Sequence, residues 1–126
     1  MKILVIEPEK CPVVREIIDS LEEMQVIVGG YIQAIYPFAD EVALVCNDEG
    51  KLQGLPLNRA LRDAEGKIYD VISGTFFLCT APADSDDFQS LTDEQMAKYK
   101  ALFHTPEIFL NLGGQILCLP AEGSSQ

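Results

Sequence analysis

The segment "NDEGKLQGLPLNRALR", Asn47 to Arg62, holds the residues best suited to recognise a ligand. Asn58, Arg59 and Arg62 supply amide and guanidinium donors on a chain otherwise short of positive charge. If Asn58 caps a single helical turn running to Arg62, the turn's free N–H groups and two guanidiniums would favour a carboxylate or phosphate. The same residues also have a purely structural reading. Asn47 to Gly50 turns the chain, Gly54 and Pro56 bend it again, and Leu55, Leu57 and Leu61 anchor it to a core. Asp63, Glu65 and Asp70 lie close enough in sequence to neutralise the arginines. Both readings stand at this point.

Other chemistry finds less support. Nucleophilic catalysis needs Ser, Cys or Thr beside a base, and His104 is the only histidine, with no G-x-S-x-G elbow in the chain. The pairs Gly29-Gly30 and Gly113-Gly114 are followed by strand-like residues, whereas a phosphate loop needs a helix opening directly after its glycines. Cys11, Cys46, Cys79 and Cys118 are dispersed, without a C-x-x-C pair, and three of them sit in apolar runs where free cysteine packs as a small core residue. Asp84, Asp86 and Asp87 share a stretch lacking the glycine and terminal Glu of a calcium loop, so a solvated acidic loop is the expectation. No catalytic residue, metal site or cofactor is assigned.

Twenty acidic against nine basic side chains give a net charge of −11. Such a surface repels phosphate backbones, so direct nucleic-acid binding is not expected. Nothing approaches the roughly 18 apolar residues of a membrane span, and the N-terminus lacks a secretory pattern. A cytoplasmic protein is expected, in keeping with the dispersed cysteines.

The elements that must position these residues suggest one α+β domain, mainly an antiparallel sheet with two short helices packed on it. Strand-like runs occupy Lys2 to Glu7, Val13 to Ile17, Tyr31 to Tyr36 and Val42 to Asn47, the last without polar alternation and hence central. Ile68 to Ala81 reads as one strand or as two pieces broken at Ser73-Gly74. Ser20 with Glu23, and Thr92 with Gln95, fit capping boxes, the first opening a helix closed by Gly29-Gly30 and the second a helix from Asp93 to Phe103. "EIFLNL" and "QILCLP" flank Gly113-Gly114 as a hairpin would. The expected division is a core over residues 1–103 and a C-terminal extension over 104–126, whose apolar character leaves room for a homodimer.

"VGGYI" (Val28 to Ile32), "NDEGKLQGLPLNRAL" (Asn47 to Leu61), "ISGTFFL" (Ile72 to Leu78) and "SLTDEQMAKY" (Ser90 to Tyr99) together resemble, in order and spacing, domain-of-unknown-function family 3846. The resemblance runs from Met1 to Phe103, and its most specific part is Gly54, Leu55, Pro56 and Asn58. It implies a small protein of phages, integrative elements or their bacterial hosts, and no reaction. The chain carries Gln33 where many relatives have an acidic residue.

The expected function is therefore a non-catalytic accessory domain of phage or mobile-element origin. It would bind an unidentified protein or a small anionic ligand through the surface around Tyr31, Gln33, Asn47, Asn58, Arg59 and Arg62. The alternative is an acidic decoy that imitates DNA. An enzyme built on scattered carboxylates is the weakest of the three readings.

Overall fold

The computed structural model describes residues 1–120, and the polar Glu122 to Gln126 end of the expected extension lies outside them. Five strands form the central sheet: β1 (Lys2–Ile6), β2 (Val13–Glu16), β3 (Ile32–Ile35), β4 (Val42–Asn47) and β7 (Phe76–Thr80). Their order is β2-β1-β7-β4-β3, and every pairing is antiparallel. β4 and β7 lie inside the sheet, and all six residues of β4 are buried, as its unbroken apolar run predicts.

The alternation of each central strand divides the core into two faces. On one side Ile3, Val5, Ala43, Val45, Phe77 and Cys79 pack beneath Met24 and Val28 of helix α1 (Leu21–Val28). On the other, Leu4, Ile6, Leu44, Phe76 and Leu78 meet Tyr99 of helix α2 (Asp93–Leu102), its C-cap Phe103, and Leu61 and Ile72 from a separate hairpin. That hairpin pairs β5 (Leu57–Arg62) with β6 (Ile68–Ser73), and a third unit pairs β8 (Glu107–Leu112) with β9 (Gln115–Pro120).

Local signals explain both helices. Around α2 the full reciprocal cap forms: Thr92 Oγ1 accepts from Gln95 N at 3.1 Å and Gln95 Oε1 accepts from Thr92 N at 2.9 Å. Around α1 only half of the expected box forms. Ser20 Oγ accepts from Glu23 N at 3.2 Å, but the Ser20 N–H is taken by Ile18 O at 2.8 Å, so Glu23 has nothing to reach back for. Gly29 then closes α1 at φ 80, a left-handed value that favours glycine.

The chain from Ile68 does divide at Ser73-Gly74, and the two pieces, β6 and β7, belong to different sheets. The helical turn expected from Asn58 to Arg62 is absent, because those residues are β5. Register shifts on either side of Arg59 to Leu61 mark irregular pairing with β6, which lets Asn58 and Arg59 be buried in succession rather than pointing to opposite sides.

Two measurements probe this packing. A Cβ on Gly50 would lie 2.8 Å from the backbone oxygen of Ser73, and a backbone atom cannot swing aside. Gly50→Ala should lower stability in urea by about 1–3 kcal/mol; an unchanged midpoint would refute the close approach. Burial, helped by Asp19, pushes the Cys79 thiol from 9.0 up to about 12. Because the folded value is the higher one, its contribution is complete below pH 9 and is lost as pH rises towards 12. Cys79→Ala should flatten the fall in melting temperature across that window.

Candidate functional site

The motif-rich run from Asn47 to Asn58 is tied into the fold by its own polar groups. Asn47 Nδ2 donates to Val28 O and to Gln53 Oε1, both at 3.2 Å, while its Oδ1 accepts from Glu49 N at 2.8 Å. This joins the end of α1 to the turn after β4. Asn58 is fully buried, and its Nδ2 donates to Ile6 O and Gly74 O, both at 2.8 Å. Gly74 N in turn donates to Pro56 O at 2.7 Å. The Leu-Pro-x-Asn elbow thus stitches β5 to the ends of β1 and β6.

Arg59 is 1% exposed. Its Nε donates to Phe103 O at 3.3 Å and its Nη2 to the same oxygen at 3.0 Å and to Lys10 O at 2.7 Å. Its Nη1 donates to Asn58 Oδ1 at 2.9 Å and to Asn58 O at 3.4 Å. The five N–H donors of a guanidinium are thereby all engaged by neutral oxygens. Desolvation lowers the Arg59 pKa from its ordinary value, with Glu107 and Cys11 pulling the other way; the group stays cationic.

Beside this buried cation opens a cleft of about 140 Å³, walled by Phe38, Leu61, Tyr69, Leu102 and Phe103. Two elements frame it: the β5–β6 hairpin brings Leu61 and Tyr69, and the C-terminal end of α2 brings Leu102 and its C-cap Phe103. Leu102, 59% exposed, lines this region. At the rim Arg62 Nη2 meets Glu107 Oε1 at 2.6 Å, and Glu107 Oε2 accepts from Ala60 N at 2.6 Å. Burial lowers the Arg62 pKa, but the hydrogen bond and charge of Glu107, with Cys118, outweigh it and leave the value raised. Burial, followed by Glu107, also raises the Cys118 thiol, with Arg62 opposing. The cleft therefore holds two positive charges and one carboxylate, a set suited to attracting an anion rather than to transferring protons.

The six residues anticipated from the sequence do not converge. Arg59 and Arg62 reach this cleft, Arg59 as its floor and Arg62, whose side chain is 42% exposed, as its accessible donor. Gln33 and Asn47 line another hollow of about 200 Å³, together with Asp48, Glu49, Asp70 and Ser73. Lys51 bridges to Asp70 there at 2.7 Å. Tyr31 is 71% exposed, and Asn58 is enclosed by the bonds just described. Glu107, Tyr69 and Phe38 were not anticipated. The only sign of Glu107 in the sequence is a lone acid ahead of an apolar run. Among the described residues no three His, Cys, Asp or Glu side chains gather as a metal site.

A family model described as "Domain of unknown function (DUF3846)" matches residues 1–104. The chain belongs to the DUF3846 family. Neither the curated proteins nor the solved structures yield a match. The family match ends inside the cleft: Arg59, Arg62 and Phe103 fall within the DUF3846 residues, whereas Thr105 and Glu107 come after them.

Removing the Arg59 cation would strand Phe103 O and Lys10 O without their buried donor. Arg59→Met should destabilise the fold by about 3 kcal/mol, and Arg59→Lys should recover only part of this, since an ammonium cannot span the same oxygens. Denaturant unfolding of both variants gives the comparison; equal stability of Arg59→Met and wild type would show that the cage is dispensable.

Proposed function

We propose that this DUF3846 protein is a non-catalytic binding domain for a small anionic ligand, working as a cytosolic accessory factor in a phage or mobile-element setting. The cleft beside Arg59 carries this reading. Its walls are mostly apolar and its polar groups few and convergent, the usual make-up of a ligand site. On a chain of net charge −11 it also holds two arginines against one carboxylate. Arg59 has no donor to spare, so it contributes a field from beneath the site, strengthened by its dry surroundings. Arg62 contributes the hydrogen bond, exchanging Glu107 for the ligand's anionic group. The volume suits a compact monocarboxylate with an aromatic or branched aliphatic body. The mobile-element setting is supported by the motif resemblance, and a reducing compartment by four cysteines that form no disulfide.

The acidic-decoy reading keeps one observation in its favour. Among the described residues only five carboxylates, those of Glu7, Glu16, Asp40, Asp70 and Glu107, form ion pairs. The field therefore stays strongly negative over the rest of the surface. A decoy would bind a basic protein with affinity that collapses as salt rises.

Native mass spectrometry of protein purified from its own host, followed by thermal-shift titration with benzoate and with branched-chain monocarboxylates, tests the proposal. A retained small acid, or a melting temperature raised by one of these probes, is expected in wild type. Arg62→Gln should weaken that effect at least about tenfold, read as the shift relative to the variant's own apo melting temperature, which should itself fall because Glu107, 10% exposed, loses its cationic partner. No retained acid and no shift with any probe, or the same shift in Arg62→Gln, would overturn it.

A further inference from the structure

The β8–β9 hairpin projects an aliphatic face that stays exposed among the described residues. Its register sets Ile108 opposite Leu119, Leu110 opposite Leu117 and Leu112 opposite Gln115, so strand alternation places all five aliphatic side chains on one side. Each is at least 41% exposed. An isolated two-stranded hairpin is marginal in water, and what ties this one down is at its base: Glu107 to Ala60 and Arg62, and Arg62 to Cys118.

We propose that this face packs against the same face of a second copy, forming a two-fold dimer in which the two hairpins stack as a small β-sandwich. Three features select a second copy as the occupant. First, Ile108 to Pro120 contains no Asp, Glu, Lys or Arg, so the face offers no ion-pair partner to a basic or acidic protein, whereas two aliphatic faces of one shape complement each other about a two-fold axis. Second, each copy carries −11, and an uncharged arm lets two copies touch without setting carboxylates against each other. Third, five such side chains offer on the order of 450 Å² per copy, or about 900 Å² in the pair. That falls below the roughly 1,200 Å² of a stable specific interface, in the range of weak contacts, and predicts a reversible, concentration-dependent dimer. The hairpins would stack about 10 Å apart, the ordinary distance between packed sheets.

Sedimentation velocity on the full chain, from low micromolar to about 1 mM, tests the proposal. Wild type should pass from monomer to dimer, and raising NaCl from about 0.05 to 0.5 M should tighten the dimer, because salt screens repulsion between the acidic bodies. The double variant Leu110→Lys, Leu117→Lys should weaken dimerisation at least about 100-fold, with its circular dichroism unchanged. Ile116→Lys, on the opposite side of the hairpin, should dimerise as wild type does. If the double variant fails to fold, hydrogen exchange of wild type decides: amides of β8 and β9 should gain protection as concentration rises. A wild type that stays monomeric throughout, association untouched by the lysines, open-ended aggregation instead of a closed dimer, or exchange independent of concentration would each overturn the proposal.

Discussion

One buried cation holds three separate parts of the molecule. Through Phe103 O, Lys10 O and the carbonyl and side chain of Asn58, the Arg59 guanidinium joins the end of α2, the β1–β2 turn and β5. Bringing a charge to 1% exposure carries a desolvation penalty of several kcal/mol. No carboxylate forms an ion pair with Arg59 among the described residues, so the offset comes from five charge-assisted hydrogen bonds to neutral oxygens. Phe103 O lies at the C-terminal end of α2, where the helix dipole favours a cation. The arginine thus does for α2 what a glycine cap does for α1. It also explains why Phe103, the C-cap residue at φ −104, leaves the helix without a left-handed turn.

The same constraint explains which parts of the fold were legible in the sequence. Helices α1 and α2 were readable because their caps and apolar spacing are local. β4 was readable because a continuous apolar run has few places to go other than the middle of a sheet. β5 was misread as a helical turn for the complementary reason. Asn58 has the look of an N-cap from its neighbours, but its amide serves Ile6 O, 52 residues away, and Gly74 O, 16 away. No local rule reaches those partners. Arg59 is similar, with acceptors 44 and 49 residues distant. An Asn-Arg pair in a strand is unfavourable by propensity alone, and tertiary hydrogen bonding overrides that preference.

The candidate site was legible in only one of its halves. The arginines drew notice by their rarity, but the aromatic and aliphatic walls come from Phe38, Tyr69 and Leu102, which look like ordinary core or surface residues until α2 and the β5–β6 hairpin converge. Glu107 is more instructive. It follows the family-matched residues, yet it caps the β5 backbone at Ala60 N and neutralises Arg62. The segment after residue 104 therefore sets the resting state of a cleft whose cations belong to the family domain.

That division separates the conformational work of the motif from its chemistry. Gly50 lies against Ser73, Gly74 outside the run against Leu55, and Gly30 outside it against the Asn47 side chain, so Gly50 and both asparagines of the run are spent on closing the turn, the elbow and the end of α1. A ligand site cannot be built from side chains whose donors and acceptors are already spent inside the fold. What the run leaves to the surface is positional: Arg59 is fixed so that its charge, without its hydrogen bonds, reaches the cleft, and β5 ends with Arg62 at the rim. Glu107 holds Arg62 through one oxygen and Ala60 N through the other, so the rim contact and the tie between β8 and β5 are made by separate atoms.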